Sequence, residues 1–138
     1  MTGTLVVDAS VVLKWVVDEA GSVAAAALRA SSLAAPELLL EECANVLWVK
    51  QRRGELTADE ARERLRLLFE APVQLVPSAS LLNRALELAI HLDQTVYDCI
   101  YLALALHLDG QLVTADRRLA EASRRDPGLA DRVRLLED

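Results

Sequence analysis

The sequence predicts an α/β fold with a mainly parallel central sheet flanked by helices. Three observations predict it. Short Val/Leu runs at 5–7, 73–76 and 112–113 have the length and composition of strands. Longer stretches with apolar residues three and four apart separate them, the alternation that a parallel sheet requires. Acids stand directly after two of the strands, Asp8 and Asp116, where open α/β sheets gather their ligands. The 138 residues fit one domain, 1–138, long enough to bury a core. With 53% hydrophobic and 26% charged residues, disorder is excluded.

Charge and special residues narrow the function classes. The net charge of −6 argues against a general nucleic-acid binder, because phosphate contacts need Lys and Arg. The basic residues are nevertheless clumped: Lys50, Arg52 and Arg53, then Arg117 and Arg118, Arg124 and Arg125, Arg132 and Arg134. Most such pairs read as solvated helix faces. The longest apolar run, 99–106, is far short of the roughly 20 residues that span a bilayer. No membrane association and no secretion signal are expected, and Cys43 and Cys99 read as small buried thiols of a cytoplasmic protein. His91 and His107, beside apolar residues near helix ends, read as partly buried surface residues and not as ligands.

Taken in order, the run at 5–7 is a buried parallel strand that ends in Asp8. A helical turn or two follows over 11–17. An Ala-rich helix covers 22–30, a brief strand 33–35, and Pro36 opens a helix over 37–53 that Gly54 ends. Thr57 and Glu60 form a capping box for a helix reaching about 70, and Pro72 stops it. The strand 73–76 lies between prolines. An amphipathic helix over 80–92 is expected to turn Leu82, Leu86, Ala89 and Ile90 inward. Thr95 caps the next helix, which is apolar nearly all round and therefore buried, with Asp98 in its first turn. Gly110 provides its stop. A strand at 112–113, a helix over 117–124 and a last strand at 133–135 complete the chain.

Four acids stand out. Asp8 and Asp116 follow strands, although each also suits the N-cap of the next helix. Asp98 benefits from a helix dipole, by about 0.3–1 kcal/mol. Glu41 falls on the wet face of its helix with Glu37, Trp48 and Arg52. Glu42 falls on the apolar face with Leu38, Leu39, Asn45, Val46 and Val49, so Glu42 and Asn45 are expected to lie together and point inward. Four awkward carboxylates in one small chain suggest a shared hard divalent cation, Mg²⁺ or Mn²⁺. No His/Cys cluster supports zinc. Gly-rich phosphate loops, nucleophile elbows and dinucleotide fingerprints are missing.

Four blocks, LVVDASVVLKW, APELLLEECANVLWVK, VYDCIYLALA and LVTADRRL, together resemble PIN-domain ribonucleases, most of all the VapC toxins of bacterial and archaeal toxin–antitoxin pairs. The likeness spans nearly the whole chain. It implies a PIN-like sheet flanked by helices and Mg²⁺- or Mn²⁺-dependent endonucleolytic cleavage of RNA. It also implies a cognate antitoxin partner and a homodimer. The catalytic acids fall on Asp8, Glu42, Asp98 and Asp116, with Asp8, Asp98 and Asp116 on the metal. Asn45, Thr114 and Ser10 are expected to support substrate or water. A housekeeping RNA-processing nuclease and an inactive PIN-like module that binds a partner are the alternatives.

Overall fold

The computed structural model describes residues 3–137. Among them, five strands form one sheet: β1 (Leu5–Val7), β2 (Leu33–Pro36), β3 (Gln74–Val76), β4 (Gln111–Thr114) and β5 (Val133–Leu135). The order is β3-β2-β1-β4-β5, and every neighbouring pair is parallel. Parallel neighbours need crossovers, and the helices supply them. The chain winds outward from β1 to β3 on one side, then returns to place β4 on the other side of β1. The order therefore reverses between β1 and β4. That crevice, at the carboxyl ends of the two central strands, is where an open α/β sheet presents a ligand.

The helices follow the expected order: α1 (Ala9–Val12), α2 (Ser22–Ala27), α3 (Leu38–Arg52), α4 (Ala58–Phe69), α5 (Leu82–Leu92), α6 (Val96–His107) and α7 (Arg117–Arg124). Short turns of 3-10 helix extend α1 and α2 and precede α5. The Thr57/Glu60 capping box opens α4 with both of its hydrogen bonds present. Helix α6 is the keystone. Residues 99–105 are all buried, and the helix packs on β1, β2, β4 and α5 at once. With neighbours on every side, an apolar surface all round is what it needs. Cys43 and Cys99 are buried free thiols, as expected.

Three expectations are corrected. Pro36 does not open α3. It is the last residue of β2, paired with Val76, and the amide of Glu37 still bonds to the Val76 carbonyl. The proline sits where the ladder does not need its missing N–H. Helix α5 turns the other way round: Leu82, Leu86 and Ile90 are 45, 50 and 70% exposed, while Leu81, Ala85 and Leu92 are buried. This segment carries two apolar stripes of helical period, so periodicity cannot choose between them. Small Ala85 suits close approach to α6. Finally, Gly110 is not the residue that turns the chain out of α6. Asp109 takes the left-handed conformation, at φ 51°. Gly110 is required for space, because a Cβ there would collide with the backbone oxygen of Thr4.

Candidate active site

Asp8 sits at the end of β1, next to the end of β4. It is the N-cap of α1, and its Oδ1 accepts from the amide of Val11 at 3.3 Å. The same oxygen accepts from Ser10 Oγ at 2.5 Å, and Oδ2 accepts from Thr114 Oγ1 at 2.5 Å. Three donors favour the carboxylate, yet burial prevails. The carboxyl is pushed up to about 6 by desolvation, against the hydrogen bonds of Ser10, Thr114 and Val11 and with a small push from Asp98.

The two hydroxyls are used twice. Thr114 Oγ1 accepts from the amide of Asp116 at 3.0 Å, and Ser10 Oγ accepts from the amide of Ala115 at 2.9 Å. The β4–α7 corner is thereby held to Asp8. Asp116 caps α7, its Oδ1 accepting from the amide of Arg118 at 2.9 Å. Both Asp8 and Asp116 are thus helix caps, and both face the crevice between the central strands. Capping and a place beside a reaction site are compatible roles, because an N-cap at a strand end stands in that crevice.

Asp98 and Glu42 arrive from the helices. Thr95 Oγ1 accepts from the Asp98 amide at 3.2 Å, which fixes the first turn of α6. Asp98 is half-buried, and desolvation pushes its carboxyl up; Thr95 opposes this, Asp116 adds to it and Arg118 relieves it. Glu42, also half-buried, is pushed up by burial, opposed by Tyr101 and reinforced by Asp98. Its Oε1 accepts from Tyr101 Oη at 2.6 Å. Asp98 thus repels both Asp8 and Glu42, while Asp116 repels Asp98, so the four acids share one electrostatic environment.

Sequence reasoning missed Tyr101. It lies three residues after Asp98, on the same side of α6, and that spacing is the signal that marks it. Asn45 differs from expectation. It is exposed and lines an open cavity of about 480 Å³ with Glu42, Glu41, Leu38, Val46 and Tyr97, while Tyr101 is the inward partner of Glu42. Ser10 proves more central than its position suggested, since it joins Asp8 to Ala115.

The donor set suits a hard cation. Among the described residues no three His, Cys, Asp or Glu side chains stand together as a ready enclosure for an ion. A cation that keeps most of its water needs only one or two carboxylates directly, and Mg²⁺ behaves in that way. Thiolate ligation is disfavoured. Burial pushes the Cys43 thiol up to about 12 and the Cys99 thiol up to about 11, so both stay protonated near neutral pH.

The family model of the PIN domain matches residues 5–125. Over 121 residues the chain is 41% identical to Ribonuclease VapC3 of Pyrobaculum aerophilum, covering 85% of this chain and 92% of that protein. It is 33% identical over 117 residues to Ribonuclease VapC9 of Mycobacterium tuberculosis, covering 85% and 89%. Among solved structures, PAE2754 of Pyrobaculum aerophilum superposes with a TM-score of 0.66 at 25% identity, covering 88% of this chain and 81% of that one. The Mycobacterium tuberculosis toxin VapC20, described as cleaving the sarcin-ricin loop, shares the fold with a TM-score of 0.65 at 19% identity, covering 86% and 94%.

Proposed function

Since the chain belongs to the PIN-domain family and its VapC-type ribonucleases, we propose that it is a Mg²⁺- or Mn²⁺-dependent endoribonuclease. We assign it the toxin role in a toxin–antitoxin pair, acting as a single-domain, cytoplasmic homodimer that a cognate antitoxin restrains. The observation that carries the reading is the meeting of Asp8, from β1, with Thr114 and the Asp116 corner, from β4, at the point where the strand order reverses. No helix among the described residues is long and apolar enough to cross a membrane.

Asp8, Asp98 and Asp116 are the residues that would hold the ion, directly or through water. When bound, Mg²⁺ or Mn²⁺ supplies charge neutralisation at the scissile phosphodiester and acidifies a water. The chain's own groups supply the rest. Tyr101 Oη holds Oε1 of Glu42 and leaves Oε2 to take a proton from the attacking water. A carboxyl raised by burial is a better base near neutrality than an exposed one. Asn45 orients that water or the substrate. Thr114 and Ser10 keep Asp8 in one rotamer. Exposed Arg118, 3.9 Å from Asp116, stands where an RNA backbone would pass.

The test is cleavage of single-stranded RNA by the purified protein with Mn²⁺ or Mg²⁺, beside an EDTA control and Asp98→Asn. Cleavage is expected to require metal and to fall at least roughly 100-fold in the variant, as loss of a group acting on developing charge does. RNA left intact by the wild type under every metal condition would return the protein to the class of partner-binding PIN-like modules.

Tyr101→Phe offers a second check. It keeps the buried ring and removes the hydrogen bond that favours the Glu42 carboxylate. The Glu42 carboxyl should then rise further, and the acid limb of the pH–rate profile should move to higher pH. At neutral pH the expected loss is several-fold to about tenfold, in line with about 1–2 kcal/mol for a hydrogen bond to a charged group. An unmoved acid limb would show that Glu42 does not carry the proton.

A further inference from the structure

We propose that the open cavity beside the acids is a nucleobase subsite, with Tyr97 as its stacking platform and Glu41 as the reader of a guanine edge. This rests on the ribonuclease reading above and deepens it, because it says which part of the RNA the protein recognises.

Helix α3 builds one wall of the cavity. Leu38, Glu41, Glu42 and Asn45 are spaced three and four apart and present one face to it. Tyr97 closes the space from α6, one residue before Asp98. The rest of α6 from Cys99 to Ala105 is buried, yet Tyr97 is 60% exposed. An aromatic ring open to water beside catalytic acids has an unused π-face, and single-stranded RNA is bound by stacking its splayed bases on such rings. Leu38 and Val46 offer apolar surface along the same cavity, whose volume of about 480 Å³ accommodates a purine and its ribose.

The polar groups at the rim select the base. Glu41 is exposed and has no hydrogen-bond or ion-pair partner among the described residues. A carboxylate offers two parallel acceptor oxygens and no donor. Among the four bases, guanine alone presents two adjacent nitrogen donors on its Watson–Crick edge, N1–H and the N2 amino group. Uracil has one imino donor between two carbonyl oxygens, which a carboxylate repels. Adenine and cytosine each bring a single amino group. Asn45, one turn along α3 from Glu41, adds an amide that can donate to guanine O6.

The test uses short single-stranded RNAs that carry one guanine, or inosine in its place, with Mn²⁺ present. Inosine lacks the N2 amino group. The wild type should prefer the guanine substrate by about tenfold, and Glu41→Gln should remove most of that preference. Tyr97→Ala should raise KM by roughly 10- to 100-fold with kcat largely kept, and Tyr97→Phe should restore it. Guanosine 5′-monophosphate titrated into EDTA-treated protein should shift the Tyr97 ring resonances. An unchanged KM in Tyr97→Ala, or a guanine preference that survives Glu41→Gln, overturns the subsite and leaves the nuclease standing. RNA that stays uncut while guanosine monophosphate still shifts Tyr97 overturns the nuclease reading and supports the subsite.

Discussion

Asp8→Asn is expected to stabilise the metal-free protein at pH 7 by up to about 3 kcal/mol while lowering RNA cleavage at least roughly 1,000-fold. The stability follows from the direction of the shift. Burial holds the Asp8 carboxyl at about 6 in the folded protein, against 3.8 for the ordinary group. The folded state therefore keeps a proton that the unfolded state has already released. Below about pH 4 both states are protonated and Asp8 imposes no penalty. Between pH 4 and 6 the penalty grows, and above 6 it is complete. Asparagine never ionises; its Oδ1 can still accept from Ser10 and the Val11 amide, but its Nδ2 only donates, so the bond with Thr114 must reverse, which keeps the gain below the full value. Urea melts of both proteins in EDTA should differ at pH 7 and converge at pH 4. A variant less stable than wild type at pH 7 would mean that the three hydrogen bonds outweigh desolvation and that the folded protein lowers the Asp8 carboxyl instead of raising it.

Gly110→Ala is expected to destabilise the fold by about 1–3 kcal/mol, the usual range for forcing extra volume into a packed position. Glycine to alanine ordinarily stabilises by roughly 0.4–1 kcal/mol where the backbone allows it. Gly110 has no positive φ, so conformation alone predicts that gain. The sign should reverse because the new Cβ runs into the backbone oxygen of Thr4, and no flexible side chain is there to yield. Relief requires β1 to move against β4, which misaligns Asp8 and Thr114. Chemical denaturation together with cleavage rates checks both effects. A gain in stability would mean that the start of β1 yields at no cost.

Much of this fold was legible because its strongest signals are local. The strand runs at 5–7 and 112–113 are buried on both faces, so they read as continuous apolar stretches. Helix α6 announced its burial through the absence of a polar face. The acids at the strand ends were legible because parallel sheets put their sites there. What escaped notice depends on partners distant in sequence. Helix α5 offers two apolar stripes, and only the docking of α6 selects the one with Ala85. The hydrogen bond from Tyr101 to Glu42 joins two helices whose relative pose no periodicity encodes. The demand on Gly110 comes from Thr4, the residue before β1, more than a hundred positions away in sequence. Ser10 reads from the sequence only as a support for substrate or water; its bond from the Ala115 amide comes from a corner 105 positions away.

The doubled use of the two hydroxyls has a consequence for tolerance. Each spends its single proton on Asp8 and takes its own hydrogen bond from a main-chain amide of the β4–α7 corner. The chain of bonds therefore has one polarity and no spare member. Along the sequence, 106 positions separate Thr114 from Asp8. None of that length enters as slack: the first acid and the last are registered through two short bonds, like parts located on a common dowel. Drift in the outer helices or strands need not reach the acids, whereas loss of one small hydroxyl would.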